Sequence, residues 1–257
     1  MRELKKPALM PYVCCGDPDA KFTKKLIREM VANGADAIEL GVPFSDPMAD
    51  GKTLQDAAER ALEGGMTPKK AIEVLRELRE EGIEIPIFIM TYYNIVFSNG
   101  VADFTKLAKE AGADGFIIPD LPIEESGEMR SACDENDMVL VQFITPNCSD
   151  KRLERIAKDA KGFLYAVSVL GITGARDEVS EDAIELIRRA KKITDLPVVI
   201  GFGISNEAQA SQYVKEGADG VIIGSKIAGL YAGRNNTDEV AGFCSSVAEK
   251  MKRVTRV

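Results

Sequence analysis

The sequence predicts a (β/α)8 barrel, and three observations carry that prediction. Short β-rich runs alternate with amphipathic helical segments along the whole chain, and eight such runs can be drawn. A Gly-Ala-Asp turn recurs at Gly34, Gly112 and Gly217, closing a helix and opening a strand each time, as a repeated β/α unit requires. No Ser/Pro-rich linker or shift in composition interrupts the 257 residues, so a single domain, residues 1–257, is expected. An open doubly wound sheet is the runner-up architecture.

The elements follow in order. Strands are expected at Leu9–Cys14, Ala37–Leu40, Ile87–Thr91, Gly115–Pro119, Val139–Ile144, Phe163–Val167, Val198–Gly201 and Gly220–Ile223. Helical signals lie between them. Thr67-Pro68 is a cap followed by proline in the first turn, after which Ala71, Val74, Leu75 and Leu78 form one apolar face before Gly82. Ser180 opens a segment in which Ala183, Leu186, Ile187 and Ala190 share a side. In a barrel, function gathers at strand C-termini and phosphate binds after the seventh and eighth strands.

The stretch from Ala37 to Gly51 is the most informative. With a two-residue strand period, Ile38 and Leu40 face a covering layer of helices and Glu39 faces the barrel interior. An interior carboxylate is costly unless it is paired, protonated or put to use. Pro43 and Pro47 stiffen the following loop and Gly51 turns it into a helix at Lys52, so Asp50 sits on a braced segment. The alternative is a buried acid bonded to backbone, with Asp50 serving only as a helix cap.

Composition removes several classes. Net charge is −8, from 33 Lys and Arg against 41 Asp and Glu, with no basic block and no Trp, which argues against nucleic acid and acidic membranes as partners. No apolar run is long enough to span a bilayer and no signal-peptide pattern opens the chain. The five cysteines have no CxxC spacing and suit reduced apolar fillers, so a cytoplasmic location is expected. There is no histidine, which excludes Ser-His-Asp and Cys-His catalysis and His-ligated zinc. No expected strand carries the lysine that a Schiff-base aldolase needs, and no histidines are present for a metal aldolase. Proton transfer is left to carboxylates, Tyr, Lys or Cys.

Gly201-Phe202-Gly203 after the seventh strand and Gly224-Ser225 after the eighth match the barrel's phosphate positions, where glycine lets backbone N–H groups approach an anion. The connection from Leu170 to Val179 is longer than a minimal turn; it could close over a ligand, with Thr173 and Gly174 reaching inward, or be a passive surface loop. Met90-Thr91-Tyr92-Tyr93-Asn94 could line an organic pocket or pack the rim. Asp17 and Asp120 follow strand ends near proline and read by default as turn formers.

Together, ELGVPFSDPMADG, MTYYN, PDLPIEES, SVLGITGAR, GFGIS and IIGS, in this order, closely resemble the α subunits of tryptophan synthase over essentially the whole chain. The resemblance implies a (β/α)8 barrel that cleaves indole-3-glycerol phosphate to indole and glyceraldehyde 3-phosphate, with no metal or organic cofactor of its own. It implies a partner, the pyridoxal-phosphate β subunit, in a hetero-oligomer of α2β2 type, with the loops around Asp46 and after the sixth strand as contact elements. By this resemblance Glu39 is the general acid–base and Asp50 the second catalytic acid. Gly174, Gly203, Gly224 and Ser225 bind phosphate. Tyr12, Met90, Tyr92, Ile117 and Phe143 line the indole pocket, Tyr165 lies near the substrate, and Thr173 contacts the aspartate on loop closure. Val169, Leu170 and Pro119 depart from the common pattern. For Glu39 to give and then take a proton at neutral pH, burial should lift its pKa from about 4.3 toward neutrality. The competing reading is a phosphate-ligand-binding barrel that acts mainly as a regulatory subunit of a partner enzyme.

Overall fold

Parallel strands with buried apolar residues on both faces need helices outside and one another inside, and this chain meets the need by closing the sheet. The computed structural model describes residues 6–168, 179–232 and 236–254. Its elements run β1 (Ala8–Cys14), α1 (Ala20–Ala32), β2 (Ile38–Gly41), α2 (Lys52–Glu63), α3 (Pro68–Glu80), β3 (Ile87–Met90), α4 (Tyr93–Ser98) and α5 (Val101–Glu110). They continue with β4 (Gly115–Ile117), α6 (Gly127–Glu135), β5 (Val139–Ile144), α7 (Asp150–Asp159), β6 (Leu164–Val167) and α8 (Glu181–Ile193). The last are β7 (Val198–Gly201), α9 (Glu207–Lys215), β8 (Gly220–Ile223), α10 (Ser225–Tyr231) and α11 (Asp238–Lys252). The strands pair in sequence order and β1 pairs with β8, Leu9 beside Val221 and Met10 beside Ile222. That last pairing closes the barrel and rules out the open sheet.

The expected helix starts are present. Thr67 accepts from the Lys70 N–H and Ser180 from the Ala183 N–H, and the apolar faces of α3 and α8 are buried. The third, fourth, fifth, seventh and eighth strands start where expected. β4 ends at Ile117 rather than Pro119, because proline has no N–H to donate to a ladder. β2 runs one residue further than expected, to Gly41, whose carbonyl accepts from the Cys15 N–H at 2.8 Å.

The Gly-Ala-Asp repeat proves to be one device used three times. Each glycine has a left-handed φ, 102° at Gly34, 94° at Gly112 and 108° at Gly217, and ends its helix. Each aspartate then reaches back to the first turns of the preceding strand. Asp36 accepts the Leu9 N–H at 3.1 Å, Asp114 the Ile87 N–H at 2.8 Å and Asp219 the Val198 N–H at 2.9 Å. Lys6, Arg79 and Lys191 pair with the three carboxylates. These clamps brace the N-terminal end of the barrel, which leaves the opposite end free for chemistry.

Candidate active site

Register puts Tyr12, Glu39 and Phe88 side by side on β1, β2 and β3, facing inward. Phe88 meets Phe163 edge-to-face at 5.3 Å, and the two rings form the barrel floor. Above the floor lies a cleft of about 540 Å³, open at the strand C-termini, with Glu39 and Asp50 on its wall. Both carboxyls are buried, at 4% and 6% exposure.

Two glycines make room for the aromatic lining. A Cβ on Gly41 of β2 would collide with the Tyr12 hydroxyl, and one on Gly201 of β7 would collide with the Tyr165 hydroxyl. Each tyrosine therefore leans across the end of the next strand, where any larger residue would expel it. Phe143 stacks on Tyr165 at 4.6 Å, and Phe202 meets Tyr165 at 6.0 Å nearly edge-on. Met90 from β3 and Ile117 from β4 complete an apolar wall sized for a flat ring.

Asp50 is not a helix cap. Gly51 occupies the N-cap position of α2 and makes no side-chain bond there, while Asp50 accepts from the Tyr92 hydroxyl at 2.9 Å. Tyr92 in turn accepts the Ala49 N–H at 3.1 Å, and its ring lies 5.3 Å from Phe44. Gln55 donates to the Asp50 carbonyl at 2.6 Å. The acid is held from its side chain and its backbone.

Burial, with the nearby Asp50 charge second, lifts the Glu39 carboxyl from 4.5 to about 8. Burial also raises Asp50, although the Tyr92 hydrogen bond opposes it. At neutral pH Glu39 is thus a proton donor, while Asp50, with the smaller lift and a donor aimed at it, is the better placed of the two to carry negative charge. Tyr12 and Tyr165 are pushed far up by burial and the same carboxylates, so both hydroxyls keep their protons.

The cleft also carries Gly203, Gly224 and Ser225, with Ser225 opening α10. Phe202 and Gly203 both take left-handed φ angles, 70° and 80°. For Phe202 that is a strained backbone, and the buried Ser168 hydroxyl donates to its carbonyl. Among the described lining residues none is Lys or Arg, so an anion there would be met by backbone N–H groups and a hydroxyl.

The cleft brings together Glu39, Asp50, Gly203, Gly224, Ser225, Tyr12, Met90, Ile117, Phe143 and Tyr165. Tyr92 supports Asp50 from behind rather than lining the cleft. Thr173 and Gly174, with Val169 and Leu170, lie outside the described residues. Sequence reasoning did not single out Leu54, Ile204 and Ile222 as lining. Ile222 could have been found from the strand period and Leu54 from its place one turn into α2; Ile204 gave no signal. Pro119, noted only as a departure, also lines the wall. Asp120 accepts the Tyr93 N–H at 2.9 Å, consistent with a turn role, whereas Asp17 is ion-paired with Arg60. Among the described residues there is no group of three His, Cys, Asp or Glu placed to hold a metal ion.

Comparison with known proteins adds the following. A family profile described as "Tryptophan synthase alpha chain" matches residues 1–256. The tryptophan synthase alpha chain of Methanosarcina acetivorans is 44% identical over 239 residues, covering 93% of this chain and 86% of that one. That of Geobacillus kaustophilus is 47% identical over 221 residues, 86% of this chain and 82% of its own. Among solved structures, one from the Pyrococcus furiosus tryptophan synthase a2b2 complex superposes with a TM-score of 0.89 at 38% identity, covering 95% of this chain and 99% of that one.

Proposed function

Because the chain belongs to the tryptophan synthase alpha chain family, we propose that its two cleft carboxyls, Glu39 and Asp50, carry the lyase reaction of that family. The protein cleaves indole-3-glycerol phosphate to indole and glyceraldehyde 3-phosphate, a step of tryptophan biosynthesis. The observation that carries the assignment of residues is one cleft that holds a protonated glutamate, a braced aspartate and a glycine-rich anion cradle around an aromatic wall.

The residues act in sequence. Indole lies against Tyr165 and Phe143, with its N1–H directed at Asp50 and its phosphorylated tail at Gly203, Gly224 and Ser225. The Glu39 carboxyl transfers its proton to C3 of the ring, and the positive charge that forms at N1 is met by the Asp50 carboxylate. Glu39, now ionised, removes the proton from the hydroxyl on the carbon attached to C3. The electrons of that O–H bond form the aldehyde carbonyl, the carbon–carbon bond breaks, and its electrons restore the aromatic ring. Glu39 ends protonated, ready for another turn. A pKa near 8 suits a group that must give and then take a proton near neutrality. Gly174 and Thr173 are assigned to phosphate binding and loop closure from the family pattern.

No cofactor of its own enters this scheme, and the chain works as one barrel domain, residues 1–257, in the cytoplasm. Among the described residues no helix is long and apolar enough to cross a membrane. Its partner is the pyridoxal-phosphate β subunit, in an assembly of the α2β2 kind. Met48, 76% exposed, and Phe97, 65% exposed, are the exposed large hydrophobics among the described residues. They lie on the β2–α2 loop and on α4, at the same end as the cleft, where a partner receiving indole has to dock. The mainly regulatory reading is not favoured, since an allosteric phosphate site has no use for two buried acids beside an aromatic wall. Incubation of the purified chain with indole-3-glycerol phosphate, with and without β subunit, tests the proposal: free indole is expected in both, more with the partner. No indole in either would contradict it.

A further inference from the structure

The proposed chemistry makes no use of one ion pair whose carboxylate is buried. Asp17, 1% exposed, lies in the turn after β1, with its N–H on the Cys14 carbonyl at 3.3 Å. Arg60 of α2 meets both of its carboxylate oxygens, Nε to Oδ1 at 2.8 Å and Nη2 to Oδ2 at 2.8 Å. A two-pronged pair of this kind fixes direction as well as distance. With the Arg60 side chain 38% exposed, solvent screens the attraction and the pair is a weak source of stability, so its fixed geometry is the more telling property.

Three elements meet here. The first is the β1–α1 turn itself. The second is α2, whose N-cap Gly51 follows Asp50, whose Gln55 holds the Asp50 carbonyl and whose Leu54 lines the cleft. The third is α10, which begins at Ser225 and ends at Tyr231. The Tyr231 ring packs 5.5 Å from Phe22, and its hydroxyl is buried. It faces the Asp17 carboxylate, whose charge, after burial, raises its pKa further. One carboxylate thus links the helix that carries the acid to the helix that carries the phosphate end.

We infer that Asp17 and Arg60 form a positioning pair that sets the separation between Asp50 and the Gly224-Ser225 anion site, so that one substrate can engage both. The inference rests on the functional reading above. It predicts a defect specific to ligands that span the two sites: inorganic phosphate and free indole each touch one side, and indole-3-glycerol phosphate touches both.

The test compares Asp17→Asn, Arg60→Lys and a control, Asp114→Asn, which weakens a clamp at the opposite end of the barrel. Each full-length variant is assayed in the presence of β subunit, at a temperature well below its own Tm. Binding of inorganic phosphate and of indole is measured by calorimetry. A displacement of about 1 Å between reacting groups can cost about 10²-fold in rate, so a fall of about 10-fold or more in kcat/KM is expected for both pair variants. Binding of each half should stay within about twofold of wild type, and the control should lose only Tm. Arg60→Lys separates fork from charge: it retains the charge and should remain impaired. Wild-type kinetics in both pair variants, with only a lowered Tm, would overturn the inference, as would an equal weakening of inorganic phosphate binding. If the wild-type protein releases no indole, the functional reading fails instead. The pair is then judged by calorimetric binding of the spanning compound against its two halves.

Discussion

Glu39→Gln should make the protein more stable, and increasingly so as pH rises. In the folded chain the Glu39 carboxyl loses its proton near 8, against an ordinary value of 4.5. Below 4.5 both states are protonated and the carboxyl contributes nothing to a pH dependence. Between 4.5 and 8 the folded state keeps a proton that the unfolded state has released, so stability falls as pH rises. Above 8 the penalty is complete. The gap of about 3.5 units, at about 1.36 kcal/mol each, sets the size of the effect at about 5 kcal/mol. That is comparable with the whole stability of many domains, a sign that the acid is kept for reasons other than folding. Glutamine has nearly the same shape and no charge to desolvate. Urea titrations of wild type and Glu39→Gln from pH 4 to 9 should therefore coincide at the acid end and separate progressively, with the variant the more stable. Parallel curves would refute the buried, proton-retaining environment assigned to Glu39.

Other expectations follow from the same geometry. Tyr92→Phe keeps the ring against Phe44 and removes the donor to Asp50. A hydrogen bond to a charged group contributes about 1.5–3 kcal/mol, so kcat should fall about 10- to 100-fold. Because that bond holds the Asp50 pKa down, the acidic limb of the pH–kcat profile should move to higher pH; an unmoved limb would count against the support role. Gly201→Ala places a methyl where the Tyr165 hydroxyl lies and should abolish indole release while leaving the far-UV spectrum intact. Asp114→Ala leaves the Ile87 N–H without its acceptor and removes the carboxylate from Arg79, which keeps its backbone acceptors at Gly112, Ile83 and Ile85. It should cost about 1–3 kcal/mol in urea titrations without changing kcat below its Tm.

Much of the barrel was legible in the amino-acid order because local physics wrote it there. The Thr67 and Ser180 caps, the apolar faces of α3 and α8, and the strand runs are each set by near neighbours. The Gly-Ala-Asp echo announced a repeated unit, but its purpose appeared only with the pairing of Asp36, Asp114 and Asp219 to strands some 20 to 30 residues away. Glu39 could be placed inside by strand period alone. Closure of the sheet could not, because the β1–β8 pairing depends on tilt accumulated over every strand. Tyr92 read equally well as pocket lining or rim packing; only its bond across 42 residues to Asp50 assigns it as a support. Asp17 looked like a turn former because Pro18 follows it, and its partner Arg60 lies 43 residues on, beyond any local pattern. Ile204 became a lining residue only when loops from different strands converged.

The account stands on a single glutamate that carries its proton at neutral pH and hands it to the ring. The most direct measurement is single-turnover indole release by the wild-type chain and by Glu39→Gln, in the presence of β subunit, with inorganic phosphate affinity recorded on the same preparations. Loss of an acid–base group costs about 10²- to 10⁴-fold, so release should fall by at least that much while phosphate is bound as before. Indole release by Glu39→Gln within a few-fold of wild type would contradict it.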